Sequence, residues 1–337
     1  MQDRTFRSFK TQLMLCVALA GAGFSFSAHA VTYVTFDVPG SVGTYPVTNL
    51  QGAITGWWYD SNFVVHGFFR ASDGTITPFD PAGSVATYPV YMNDPGAVAG
   101  YYVDANNVQH GFMRTVDGTI TTIDPPGSTL TQVRGINRYF LTTGFYRDSN
   151  QVIHGFVRGR NGKFTTFDPP GSTETRAQSI GYRDAITGWY LDSSGTAHGF
   201  VRHRDGSITA FDPPGSISTH PISISRKGVV AGPYEDSNLV WHGFIRDAQG
   251  ILKSFDPPGS IDTEPTNVHA GGESVGSWQD SSFAWHGFAR LTIGKINSFD
   301  VPGSIGTFPG GVDGGSISGF YEDTNSAFHG FFRTTRH

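Results

Sequence analysis

Two kinds of residue in this chain have the chemistry to act on a ligand. The first kind is repeated. An aspartate precedes a histidine by six positions at Asp60 and His66. The pair returns as Asp104/His110, Asp148/His154, Asp192/His198, Asp236/His242, Asp280/His286 and Asp323/His329. Taken alone, such a pair suggests metal ligation or proton transfer. A metal asks for three or four ligands, and each copy offers two. Seven equal dyads would also be redundant in one enzyme. The pattern therefore predicts a loop closed by the aspartate, through backbone groups or the histidine ring.

The second kind is not copied. A threonine recurs at Thr44, Thr87, Thr131, Thr175, Thr219, Thr263 and Thr307, and the residue after it varies: Tyr45, Tyr88, Gln132, Arg176, His220, Glu264 and Phe308. Two positions further on stand Val47, Val90, Arg134, Gln178, Ile222, Thr266 and Gly310. On an extended chain residues two apart share a side, so both sets are expected at one place. Phe308, Tyr45 and Tyr88 would form an aromatic arc, and Gln132 with Arg134, Arg176, His220 and Glu264 a polar arc opposite. His220 is the candidate acid or base, with Glu264 as its partner. Arg176 and Arg134 are the candidate anion forks, and Gln178 adds a polar contact. Tyr45, Tyr88 and Phe308 would stack on an apolar or sugar face.

The elements that must position these residues follow from the repeat. The string His-Gly-Phe-x-Arg starts at each of the seven histidines, and a second string, FDPPG in its fullest form, places Asp37, Asp80, Asp124, Asp168, Asp212, Asp256 and Asp300. Each unit of about 44 residues reads as four short strands separated by turn residues. Asp117-Gly118 and Asp205-Gly206 are hairpin signals between alternating runs. A two-residue turn at the first copy, Asp73-Gly74, would set Phe68 opposite Phe79. The order of the strings adds a topological point. A lone strand before Asp37 is left over at the start, and the last unit lacks its fourth strand. The prediction is an all-β fold, a seven-bladed β-propeller of four-stranded blades, closed when the N-terminal strand completes the last blade.

The motif G-x-Y-x-D-x5-H-G-F, as at Gly188, Tyr190, Asp192 and His198-Gly199-Phe200, resembles the extracellular HAF-type repeats of secreted bacterial proteins. The resemblance covers nearly all of residues 31–337. It implies export and a repeated β fold, and brings no defined activity with it.

Composition agrees with that class. Gly (44) and Pro (19) punctuate the chain, while charged residues make up only 15%. A helical bundle would read differently. Arg4, Arg7 and Lys10 precede an apolar run from Leu13 to Phe24 and the small-x-small end Ala28-His29-Ala30. That is the pattern of a signal peptide over 1–30, leaving 31–337 as one domain, periplasmic or extracellular. Cleavage would remove Cys16, the only cysteine, and shift the net charge from −5 to −7 as Asp3, Arg4, Arg7 and Lys10 leave. No basic run marks a nucleic-acid or membrane partner. No Gly-rich phosphate loop sits between a strand and a helix, so no cofactor is expected.

Three functions fit this reading. One is a single axial site that binds, and by lyase or hydrolase chemistry turns over, a small anionic, aromatic or sugar-like ligand. Another is a multivalent lectin using the rings Trp58, Tyr102, Tyr146, Tyr190, Tyr234, Trp278 and Tyr321 between blades. The third is an interaction scaffold without catalysis.

Overall fold

A computed structural model describes residues 31–335 except 270; the expected leader over 1–30 lies outside the described residues. Among those described, the chain is all β. The first unit runs through Gly43–Leu50, Ala53–Tyr59, Val65–Arg70 and Ile76–Phe79, each strand antiparallel to the next. The same four-stranded blade returns over 84–123, 130–167, 174–211, 216–255 and 260–299. The last copy provides Ser304–Asp313, Ser316–Asp323 and Phe328–Thr335 from its own sequence. Val31–Phe36 lies antiparallel to its outer strand, with Val31 opposite Thr335 and Phe36 opposite Gly330.

Hydrogen bonding between blades is sparse. Single parallel bridges join Val65 to Ala86, Trp285 to Gly306 and Phe328 to Gly43, and elsewhere the ladder is interrupted, leaving four separate sheets. Side chains hold the blades together instead. The first strand of each unit packs beside the first strand of the next, and Ser304–Asp313 packs beside Gly43–Leu50.

The string Phe explains much of that packing. Phe68, Phe112, Phe156, Phe200, Phe244, Phe288 and Phe331 are fully buried. Each of most of them meets, edge to face, the Phe that ends the preceding blade: Phe79 with Phe112 at 6.0 Å, Phe211 with Phe244 at 5.8 Å, Phe299 with Phe331 at 6.3 Å. At the first blade the partner of Phe68 is Phe36 of the N-terminal strand, 6.2 Å away. Such pairs add about 0.5–1.5 kcal/mol beyond the area they bury.

The expected Phe68–Phe79 pair does not form. Phe79 lies opposite Gly67, and Phe68 opposite Pro78. The connection closes with Ala71 N–H on the Thr75 carbonyl, so it is longer than two residues and shifts the register by one. The string Arg reaches across the same junction. Arg114, Arg202, Arg246 and Arg290 lie over the terminal Phe of the preceding blade at 4.9–5.1 Å. Each guanidinium here serves as a cation–π clasp between blades.

Candidate binding site

The ladder between first and second strands slips by one residue in six units, between Pro46 and Thr48, Pro89 and Tyr91, Val133 and Gly135, Ala177 and Ser179, Pro265 and Asn267, and Pro309 and Gly311. The extra residues are Val47, Val90, Arg134, Gln178, Thr266 and Gly310. In the remaining unit the strand breaks between Thr219 and Ser223. There Pro233 accepts from His220 N–H but has no N–H to return, and Ile222 takes the bulge position. A bulge residue is unpaired and its side chain is re-aimed. All seven bulge positions line one cavity of about 340 Å³ where the first strands converge.

The bulge also separates the two sets that simple alternation put together. Arg134, Gln178, Glu264 and Phe308 line the cavity. Tyr45, Tyr88, Gln132, Arg176 and His220 are not among its lining residues, which corrects the expected shared lining. They turn onto the blade faces, toward the second strand. Tyr45 stacks on Trp57 at 4.0 Å, and burial, then Tyr59, pushes its hydroxyl up to about 12. Tyr88 stacks on Tyr101 at 4.9 Å. Gln132 donates to the side chain of Gln109 at 2.7 Å. Arg176 pairs with Glu174 and lies over Phe145 and Trp189. His220 is held between Trp189 and Trp241, with Nε2 2.8 Å from the Ser218 hydroxyl. Burial lowers its pKa, so the ring is neutral at pH 7. Among the described residues no hydrogen bond joins His220 to Glu264; its side-chain partner is Ser218.

Inside the cavity the chemistry is asymmetric. Arg134 Nε donates to the Gln178 amide oxygen at 3.0 Å. Among the described residues it has no carboxylate within ion-pairing range. Burial lowers its pKa, and a guanidinium nonetheless keeps its charge in a protein. Glu264 lies on the same lining, and its carboxyl is raised by burial and then by the charge of Asp262. Val47, Val90, Ile222, Phe308 and Phe320 supply apolar wall. Of the predicted arcs, Phe308, Arg134 and Glu264 line the cavity, and the other members lie outside its lining.

Two features escaped the sequence reading. One is the residue between the Gly and the Tyr or Trp of each unit. It is aromatic in five copies, Trp57, Tyr101, Phe145, Trp189 and Phe320, and small in two, Pro233 and Ser277. The preceding Gly is required by crowding, since a Cβ on Gly56 would lie 2.1 Å from the Tyr45 carbonyl oxygen. These rings continue the aromatic arc as a belt: Trp285, Phe308, Phe320, Tyr45, Trp57, Tyr88 and Tyr101 are each within 6.0 Å of the next. The other feature is Tyr91, which lines both the cavity and the narrower space behind it. Its counterparts Thr48, Gly135, Ser179, Ser223, Asn267 and Gly311 are smaller, a difference visible in the aligned repeats.

The repeated pair does close a loop. Asp60 Oδ1 accepts the Asn62 and Val64 N–H groups at 2.8 and 2.9 Å. The His66 ring sits between Asp60 and the FDPPG-type Asp80, whose Oδ2 is 2.7 Å from Nδ1. Trp58 lies over the same ring at 4.8 Å, and Tyr102, Tyr146, Tyr190, Tyr234, Trp278 and Tyr321 cover their own histidines likewise.

No family model matches the chain, and no curated protein matches it. Solved structures do resemble it. The β-propeller domain of the Trilobed protease from Pyrococcus furiosus, described as having an open velcro topology, aligns with a TM-score of 0.58 at 9% identity over 86% of this chain and 95% of its own. A puromycin hydrolase aligns with a TM-score of 0.55 at 10% identity, covering 87% of this chain and 53% of the hydrolase, so the chain spans about half of that protein. The six-bladed Aleuria aurantia lectin, a fungal fucose binder, reaches 0.47 at 14% identity over 84% of this chain and 100% of its own. The first two likenesses show the fold, a β-propeller, and nothing of the activity.

Proposed function

We propose that the chain is an exported seven-bladed β-propeller, related to the HAF-type repeat proteins, whose axial mouth binds a small ligand carrying an anionic group on an aromatic or sugar-like body. Closure of the ring is supported by the pairing of Val31–Phe36 with the last strand and by Phe36 against Phe68. The binding reading rests on one observation: Arg134 lines the cavity with Phe308 and Phe320, and among the described residues no carboxylate, Glu264 included, lies in ion-pairing range of it. A guanidinium desolvated in this way gains from an incoming anion, and the rings supply the face against which its body packs.

Binding is favoured over turnover. The expected acid–base pair is divided, since His220 is enclosed by two indoles while Glu264 stands in the cavity. The multivalent reading is disfavoured because each ring it needs has one face against a histidine. Calorimetry with galacturonate and with phenylacetate tests the site. The expected result is about one ligand per chain, lost in Arg134→Gln at unchanged melting temperature. A stoichiometry near seven would favour the lectin, and no binding of either probe would leave the scaffold.

A further inference from the structure

A cavity larger than the axial one lies elsewhere, on the face formed by the connections between first and second strands and between third and fourth. Antiparallel order puts these connections at the opposite end of the blades from the loops at Asp60 and its copies. The groove encloses about 1130 Å³ across three successive blades, from Tyr139 and Arg160 to Arg246 and Ala248. Small-molecule pockets fall at about 300–1,000 Å³, so this one suits an extended oligomer.

Its charge is opposite to that of the chain. Arg160, Arg183, Arg204, Arg226, Lys227 and Arg246 line it against Asp184 and Asp205, in a protein of net charge −5. Arg226 is held by Asp94 from another blade, and Arg204 lies 3.5 Å from Asp184. Among the described residues Arg160, Arg183 and Lys227 have no acidic partner in ion-pairing range. Tyr182 carries Arg226 at 4.6 Å and Arg138 at 5.1 Å from its ring, which fixes two guanidinium groups beside the groove. The fold does not require this. Equivalent connections in other blades read Gln51-Gly52, Asp94-Pro95 and Gly314-Gly315, and the equivalent turns carry Ser72 and Val116 where these carry Arg160 and Arg204.

We propose that this groove binds an acidic oligosaccharide, a glycan chain bearing carboxylate or sulfate groups. Guanidinium forks match such anions, and spacing them over three blades matches repeated charge along a chain. The floor favours sugar over nucleic acid. Leu141, Val201 and Ile224 are aliphatic and suited to the C–H faces of pyranose rings, and the two rings on the lining, Tyr139 and Tyr182, make no row of platforms for successive bases.

Isothermal calorimetry on the full chain tests this with a polygalacturonate oligomer, a sulfated heparin-type oligomer, a neutral dextran oligomer, oligo-thymidylate and inorganic sulfate. One or both acidic glycans are expected to bind, and to weaken several-fold as salt rises from about 0.05 to 0.2 M. The double variant Arg183→Gln/Lys227→Gln, both exposed, is expected to lose about tenfold or more. Lys295→Gln, an exposed turn cation of a different blade, should change nothing. The proposal is overturned if neither acidic glycan binds, if dextran or oligo-thymidylate binds as tightly, if sulfate alone accounts for the heat, or if Lys295→Gln matches the double variant.

Discussion

The guanidinium of Arg70 lies over the ring of Phe36, 4.8 Å from its centroid, and so ties the first blade to the N-terminal strand. The same clasp recurs between consecutive blades, as Arg114 over Phe79 or Arg290 over Phe255. If the ring is closed, this junction is one more blade contact. Phe36→Ala should then cost roughly 2–4 kcal/mol, combining lost burial, the edge contact to Phe68 and the cation–π clasp. Phe79→Ala and Phe255→Ala should cost about the same. Urea unfolding of the three variants gives the comparison, and a near-silent Phe36→Ala would mean that the N-terminal strand is dispensable.

Two of the repeated Asp–His–Asp clusters predict how stability follows pH. The Ser194 hydroxyl, then the Thr196 N–H, hold Asp192 at about 2, and the Ser282 hydroxyl, then the Ala284 N–H, hold Asp280 at about 2. Burial pulls His198 and His286 down, but their paired aspartates outweigh it and raise both above 6.5. A depressed carboxylate stabilises above its unfolded pKa of 3.8, and that gain fades as pH falls toward about 2. A raised histidine stabilises fully below 6.5, and that gain is lost as pH climbs through the folded value. The melting temperature should therefore peak between about pH 4 and 6.5. His198→Gln/His286→Gln should flatten the alkaline limb of a calorimetric series; an unchanged limb would assign that slope to other groups.

The frame was legible because its parts are copied. Seven strings fixed the unit, the Phe of each string marked the core, and the spare strand before Asp37 announced its partner at the chain's end. The site was only half legible, for a reason of backbone geometry. Alternation assumes an unbroken ladder, and the bulge after Pro46 and its equivalents turns Val47 and Arg134 inward while leaving Tyr45 and Gln132 on blade faces. A signal was present: Pro46, Pro89, Pro221, Pro265 and Pro309 interrupt strand patterns at the same repeat position. Proline inside a strand marks a bulge or an edge. Position 133 is Val and position 177 Ala, so the bulge in those units was hidden.

His220 illustrates the consequence. Held between Trp189 and Trp241, it is a packing residue outside the cavity lining. His220→Ala should lower stability by about 1–3 kcal/mol, each lost aromatic contact being worth about 0.5–1.5, and should leave galacturonate binding unchanged. Its lowered pKa means that the folded chain resists protonating this ring, so its contribution falls as pH drops below 6.5. His220→Phe keeps the stacking and removes that dependence. Loss of binding in His220→Ala with stability intact would restore a direct role at the ligand.

Glu264 makes the anion site sensitive to pH. Burial, then Asp262, raises its carboxyl above the ordinary 4.5, and it shares the cavity with Arg134. While ionised, it repels the anion that Arg134 attracts. Protonation removes the repulsion, so galacturonate affinity should rise as pH falls from neutrality toward the raised range of Glu264, while the sugar acid itself stays charged. Glu264→Gln should bind more tightly than the native chain at neutral pH, with a flatter profile toward acid. A native profile that weakens toward acid would show that Glu264 donates or accepts at the ligand rather than repelling it. Calorimetric titrations at three pH values on native and Glu264→Gln chains distinguish these outcomes, because only repulsion predicts that the variant binds more tightly than native at neutral pH.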